Sequence, residues 1–234
     1  MQALLLALCS LFAVSPVAPI SQEVPIVKEK KSKVPFFRWG PAPGSDRIHT
    51  LVGTGLRTKT VFKAKVYAVG LYVDADQARE TLSAWKGKSA EQLAMDEDFY
   101  QTILKPELEM SLRLVLTRNI DGEDLRSAFE DALRPRIRSA AQRGLLGGEE
   151  ALETFRGFFD EGKLGKKSEL IFTRYADGRL FTLVNRVERP LIKNTALAWA
   201  LFDVYLGADP IQKQAKRSLV ELFPDVLAGK VPPE

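Results

Sequence analysis

The chain of 234 residues is poor in the side chains that carry most hydrolytic, redox and metal chemistry. It has one cysteine, Cys9, and one histidine, His49. Cys9 lies in an N-terminal apolar stretch, so the remainder has no disulfide, no thiol nucleophile and no thiolate metal site. A single imidazole nearly excludes a histidine-bearing triad or a multi-histidine metal centre, and His49 itself reads as a loop or strand-edge residue. No metal and no cofactor are expected. A large excess of charge of one sign is also lacking. The 34 Lys and Arg against 30 Asp and Glu leave a net charge of +4, and no basic run is long enough for nucleic acid. The densest basic patch, Lys28-Glu-Lys-Lys-Ser-Lys33, reads as a solvated tether.

The first twenty residues carry no charged side chain. Ala3 to Val14 has the length of a signal-peptide apolar region and falls short of the ~20 residues of a transmembrane helix. No Lys or Arg precedes it, and prolines interrupt the cleavage region Ala13-Val-Ser-Pro-Val-Ala-Pro19. Residues 1–20 are therefore expected to be a targeting segment. It would send the chain to the periplasm, the exterior or an organelle, without stable membrane insertion. The lack of arginine disfavours a mitochondrial presequence. Residues 21–45 read as linker and irregular lead-in, and residues 46–230 as one domain. A hydrophobic fraction of 45% suffices for one sizeable core.

What is present centres on residues 51–73. Val66 to Val73 has no charged residue on either alternating face, the mark of a central strand covered on both sides. Gly53-Thr-Gly55 permits close backbone approach, and Arg57 follows just before the apolar run. A guanidinium there needs an anion, supplied by an internal carboxylate or by a bound ligand. If residues 51–57 and 61–73 form a tight hairpin, Arg57 and Tyr67 are offset by about five positions, or ~16 Å along the strand, which a bulge would help to close.

Elsewhere the patterning alternates between helix and strand. Asp74–Trp85 and Ala90–Leu104 have helical spacing. Leu108–Thr117 alternates as a strand with one buried face, Leu108, Met110, Leu112, Leu114 and Leu116 pointing inward. Asp121 and Gly122 open a helix with Leu125, Phe129, Leu133 and Ile137 on one stripe, and Pro135 is expected to kink or break it. Glu149–Phe159 reads as a short helix. Two β-rich runs around Asp177-Gly178 predict a hairpin over residues 168–187. Leu191–Leu206 is a strongly apolar helix. Asp209 and Pro210 are expected to open a last helix that Pro224 stops. Strand groups separated by helices argue for an α+β fold, an antiparallel sheet with helices on one face.

In combination these segments resemble the chalcone isomerase-like superfamily. The residues that carry the resemblance are Gly53-Thr-Gly-Leu-Arg57, Lys65-Val-Tyr-Ala-Val-Gly-Leu-Tyr72-Val, Arg118-Asn-Ile-Asp-Gly122 and Asp203-Val-Tyr-Leu-Gly207-Ala-Asp-Pro210, in order over roughly residues 48–228. The implied fold is an open-faced β-sandwich, a long curved antiparallel sheet with a layer of helices and a ligand cleft between. The family includes chalcone–flavanone isomerases, which close a phenolate onto an enone beside an arginine, and non-catalytic members that bind fatty acids through an Arg and a Tyr.

Arg57 matches that arginine, and Arg57 with Tyr67 resemble the fatty-acid clamp. The cleft positions that carry a Tyr, an Asn and a Thr or Ser in the enzymes fall here on Leu125, Ala132 and Val204, with Tyr205 next. Such a swap removes hydrogen-bond partners for a polyphenol and leaves one cation against an apolar wall, which suits a long-chain carboxylate. The resemblance thus implies non-catalytic binding of a fatty acid or similar apolar carboxylate, with isomerisation of a chalcone or related phenolic enone as the alternative.

Overall fold

The computed structural model describes residues 24–59, 64–159 and 162–231, so the targeting segment expected over residues 1–20 lies outside the described residues. Strands β1 (Ile26–Lys28) and β2 (Pro35–Phe37) form a hairpin. Next come β3 (Trp39–Pro41), β4 (Ile48–Thr58) and β5 (Lys65–Asp74). Helix α1 (Ala75–Thr81) and a short 3₁₀ turn are followed by α2 (Ala90–Ala94) and α3 (Glu97–Ile103). Strand β6 (Met110–Leu116) leads through the two-residue β7 (Ile120–Asp121) into α4 (Gly122–Gln142). Helix α5 (Gly148–Arg156) precedes β8 (Lys163–Leu164), β9 (Glu169–Arg174), β10 (Leu180–Val184) and β11 (Val187–Glu188). Helices α6 (Thr195–Leu206), α7 (Lys213–Ser218) and α8 (Phe223–Leu227) complete the described chain.

One curled antiparallel sheet of seven strands, in the order β11-β10-β9-β6-β5-β4-β3, carries helices on one face, as the α+β patterning predicts. Helices α4, α5 and α6 pack on one another, and α7 and α8 lie on β4. The main core lies between sheet and helices, with Leu71, Leu112, Phe172, Leu133 and Phe202 all buried. The apolar helix α6 is capped by the Asn194 side chain, which accepts from the Leu197 amide at 2.9 Å. It buries residues on every side because helices, sheet and loops surround it.

Four expectations are corrected. Residues 24–45 are not linker. Phe36 on β2 is fully buried against Leu51, Leu56, Ala68 and Val115 on the sheet face away from the helices, and its ring lies over Gly70, where any Cβ would meet it at 2.7 Å. That cover makes β6 buried on both faces rather than one, Ser111 and Val115 included. Helix α4 is not broken at Pro135, because burial of Leu133, Ile137 and Ala140 on both sides of the proline outweighs the ~3 kcal/mol such a residue costs.

The last correction concerns the C-terminal region. Residues 209–212 form no helix, α7 begins only at Lys213, and Pro224 sits in the first turn of α8 instead of stopping a helix. The Ile211 amide is tied to the Val204 carbonyl at 2.8 Å, so the segment runs as an irregular wall beside β4.

Candidate ligand site between the sheet and helices α4 and α6

Arg57 reaches the helix-covered face because of one irregularity. On β4, Leu51 pairs with Tyr72, but the next pairing is Gly53 with Leu71, so Val52 is an extra residue in the strand. Residues paired directly across an antiparallel ladder share a face. Leu51 faces Phe36, whereas after the bulge Gly53, Gly55 and Arg57 pair with Leu71, Val69 and Tyr67 on the helix side. Without the bulge Arg57 would point to the opposite face. The same pairing places Arg57 directly opposite Tyr67, so the five-position offset of a tight hairpin does not arise; the strands are joined by a longer connection from Lys59 to Ala64.

The glycines at 53 and 55 seat α7. A Cβ on Gly53 would fall 2.3 Å from the Leu219 backbone, and one on Gly55 would fall 2.9 Å from the Ala215 Cβ. The Leu222 amide then bonds the Val52 carbonyl at 2.8 Å. Seating α7 there brings the residues before it to Arg57. The Arg57 Nη1 donates to the Ile211 carbonyl at 2.9 Å, to the Gln212 Oε1 at 3.2 Å and to the carbonyl of Thr58 at 3.2 Å. Among the described residues no carboxylate lies within ion-pair distance of Arg57.

Arg57 borders a cavity of about 410 Å³, within the range of small-molecule sites. All six residues singled out from the sequence line it: Arg57, Tyr67, Leu125, Ala132, Val204 and Tyr205. Val66, Ile120, Ala128 and Phe129 extend the apolar wall, and the lining also holds charges of both signs, Lys59, Arg118 and Arg136 with Asp124, Asp131 and Asp209. The Leu125, Ala128, Phe129 and Ala132 spacing puts these residues on one face of α4. That face was legible as a stripe, but nothing in its spacing separates cavity wall from core.

Tyr67 and Tyr205 share a hydrogen bond of 3.0 Å between their hydroxyls. Burial pushes both phenols above their ordinary range; for Tyr67 the bond from Tyr205 and the Arg57 charge oppose this, and for Tyr205 the contact with Tyr67 adds to it. Both are therefore neutral donors at pH 7. One hydroxyl proton is used between them, and the other is left to donate into the cavity.

Helix termini close the ends of the site. Asp203 on α6 pairs with the Arg136 Nε at 3.1 Å, and Arg136 also donates to the Ala132 carbonyl at 2.7 Å and to the carbonyl of Asp209. Burial raises the Asp203 carboxyl, against the pull of Arg136 and Arg143. A Cβ on Gly207 would collide with that carboxylate at 2.3 Å, and one on Gly122 would meet the Phe159 carbonyl at 2.3 Å. The glycines of the Asp203–Pro210 and Arg118–Gly122 segments are thus required for close approach, not for ligand contact.

His49 is in β4, not in a loop, and is buried on the face opposite this cavity. Its Nδ1 is 2.9 Å from the Ser111 Oγ and its Nε2 is 3.2 Å from the Glu109 Oε1. The order of protons rules out a nucleophilic serine. Thr173 donates to the Pro43 carbonyl, so Ser111 must donate to Thr173 at 2.9 Å, and His49 Nδ1 must donate to Ser111. The imidazole gives a proton to Ser111 and cannot take one from it. Among the described residues no group of three or more His, Cys, Asp or Glu is arranged to hold a metal ion, and no helix is long and apolar enough to cross a membrane.

The chain is similar to known proteins in sequence and in fold. Chalcone–flavanone isomerase 2-B of Glycine max is 28% identical over 193 residues, covering 77% of this chain and 83% of the relative. Fatty-acid-binding protein 1 of Arabidopsis thaliana is 24% identical over 177 residues, covering 73% of this chain and 62% of that protein. The crystal structure of an Arabidopsis thaliana fatty-acid binding protein shares the fold, with a TM-score of 0.71 at 22% identity over 87% of this chain and 100% of that one. The "Chalcone isomerase like" family model matches residues 47–220, and the chain belongs to the chalcone isomerase-like family.

Proposed function

We propose that the protein binds a fatty acid or similar apolar carboxylate, without catalysis, in the cavity between β4, β5, α4 and α6. The observation that carries this reading is Arg57: a cation at a cavity with an apolar wall, held by carbonyls and an amide and, although Asp124, Asp131 and Asp209 also line the cavity, by no carboxylate within ion-pair distance among the described residues. A ligand carboxylate supplies the missing anion, with the spare tyrosine hydroxyl as second donor and Leu125, Ala132 and Val204 along the acyl chain. Each buried methylene contributes about 0.8 kcal/mol.

The test is extraction of the purified protein and mass spectrometry of its bound lipids, repeated with Arg57→Ala. Acyl-chain occupancy should fall by about tenfold or more in the variant, since a hydrogen bond to a charged group contributes roughly 1.5–3 kcal/mol. Unchanged occupancy overturns the carboxylate clamp.

A second reading, isomerisation of a phenolic enone, is favoured by one observation. The neutral Tyr67 and Tyr205 hydroxyls stand beside Arg57, where a phenolate oxygen would also be stabilised. Turnover of naringenin chalcone above the spontaneous rate, abolished by Arg57→Lys, would establish it, because lysine lacks the planar fork. The apolar segment over residues 1–20 is proposed to direct export or organelle import. Cell fractionation with and without it is the check.

A further inference from the structure

The cavity with Arg57 uses the N-terminal half of α4 and the C-terminal end of α6. At the opposite ends of the same two helices lies a separate cavity of about 210 Å³. It is bordered by Arg174 at the end of β9, by Arg143 and Leu145 after α4, by Trp199 on α6, and by Lys105 after α3.

Arg174 is among the largest fully buried side chains of the protein. Its Nη atoms donate to the carbonyls of Leu104 at 3.0 Å, Ile103 at 3.1 Å, Lys105 at 2.8 Å and Leu108 at 2.9 Å. These close the C-terminal end of α3, where carbonyls lack helical partners and a cation is favoured. The guanidinium also lies over Phe202, 5.2 Å from the ring centroid. The Nε–H has no partner, and among the described residues no carboxylate lies within ion-pair distance. Burial pushes the group down to about 9, against the more distant charge of Glu107, so it stays cationic at pH 7. Dipoles thus hold a full charge that no counter-ion neutralises, an arrangement in which an anion within reach gains strongly.

Two further cations face the same space. The Arg143 guanidinium lies 4.8 Å from the centroid of the Trp199 ring. Neither Arg143 nor Lys105 has an ion pair among the described residues. The Gln101 amide and the Thr195 hydroxyl add donors at the wall.

We propose that this cavity is a second binding site, for a small anion presenting carboxylate or phosphate oxygens to Arg174, Arg143 and Lys105, with Trp199 and Leu145 as its apolar wall. Its volume is that of about seven waters at roughly 30 Å³ each, which suits a small acid. The site is separate from the fatty-acid reading and does not depend on it.

Isothermal titration with inorganic phosphate and with acetate, at constant ionic strength, tests the proposal on the full chain. The expected result is saturable binding of one anion, weakened about tenfold or more in a double variant, Arg143→Ala with Lys105→Ala. Both side chains are exposed, so this variant keeps the fold, whereas changing Arg174 risks unfolding. Because Arg57 is itself placed to hold a carboxylate, the titrations are repeated on the Arg57→Ala background, where the binding that the double variant weakens should persist. Binding of phosphate alone identifies a phosphate-bearing ligand, and binding of acetate a carboxylate. Absence of saturable binding for both anions, equal binding in the double variant, or loss of binding in Arg57→Ala each overturns the proposal.

Discussion

The two faces of the seven-stranded sheet are both buried, but by different means. On one, helices cover a largely apolar surface that carries Arg57 and Tyr67 at one cavity and the buried Arg174 at another. On the other, no helix is needed. The β1–β2 hairpin lays Phe36 on the sheet, and the loop after β3 covers His49, Ser111, Thr173 and Glu109. The faces also differ in how their polar groups are satisfied. Opposite the helices, the chain from Pro43 through Thr173, Ser111, His49 and Glu109 to Ser45 ends on protein atoms at every step. On the helix side, Arg57 has no carboxylate and one tyrosine proton faces a cavity. A polar chain that closes on itself is structure; one that stops at an empty space is where a ligand completes it.

The largest expected effect breaks the face opposite the helices. Phe36→Ala should cost about 3–5 kcal/mol in urea unfolding, the usual range for removing a buried aromatic ring, and should leave ligand occupancy of the folded protein unchanged. Gly53→Ala acts on the other face. A methyl group 2.3 Å from the Leu219 backbone forces α7 to move, at a cost of about 3 kcal/mol. Because α7 carries Ile211 and Gln212 to Arg57, this variant should also lower lipid occupancy. If Phe36→Ala disturbs occupancy as much as Gly53→Ala does, the two faces are coupled and the contrast fails.

The helix side was largely legible in the sequence, because its signals are local. The alternating β6 run, the α4 stripe and the Asp177-Gly178 turn each announce an element from neighbouring residues. The family motifs brought Arg57, Tyr67, Leu125, Ala132, Val204 and Tyr205 to one wall. What stayed hidden depends on residues distant in the chain. Phe36 looked like part of a linker because its burial comes from Gly70 and Val115. The bulge at Val52, which decides where Arg57 points, leaves no mark in a run of apolar and small residues. The stretch 209–212 carries Asp-Pro capping chemistry, yet the Ile211 bonds to Val204 and Arg57 override it. Pro135 likewise yields to the burial around it. Nothing local marks Arg174 within its strand, since its partners are carbonyls at the end of α3, some 70 residues away.

The next effect sharpens the contrast through pH. Burial alone would push the Glu109 carboxyl up, but hydrogen bonds from His49 and Ser45, with the charges of His49 and Arg47, outweigh it and hold the group below its ordinary 4.5. A carboxyl depressed on folding adds stability that is present above 4.5 and is lost as pH falls through its folded value. Glu109→Gln should therefore be less stable than the parent at neutral pH, and the gap should close on the acid side of that value. A gap that stays constant down through the acid range would show that the carboxylate charge is not what closes this chain. No such acid-dependent gap is expected for Arg57→Ala, whose charge has no carboxylate partner among the described residues.

The smallest effect separates the two tyrosines. Either hydroxyl can donate to the other, and the arrangement fixes only that one proton remains. Tyr67 is paired across the ladder with Arg57 on the same face of the sheet, which favours its hydroxyl as the second donor to a carboxylate held by the guanidinium. The expected order has Tyr205 donating to Tyr67, and Tyr67 donating to the ligand. Removing Tyr205's hydroxyl then leaves Tyr67 able to donate still, and Tyr205→Phe should lose about 1 kcal/mol of stability with less than a fewfold change in lipid affinity. Tyr67→Phe should lose a similar stability but weaken the lipid by roughly tenfold, because it deletes a bond to a charged headgroup. The measurement is a fluorescent fatty-acid displacement titration on both variants. A larger loss in Tyr205→Phe would reverse the proton order, making Tyr205 the donor to the ligand and Tyr67 the residue that supports it.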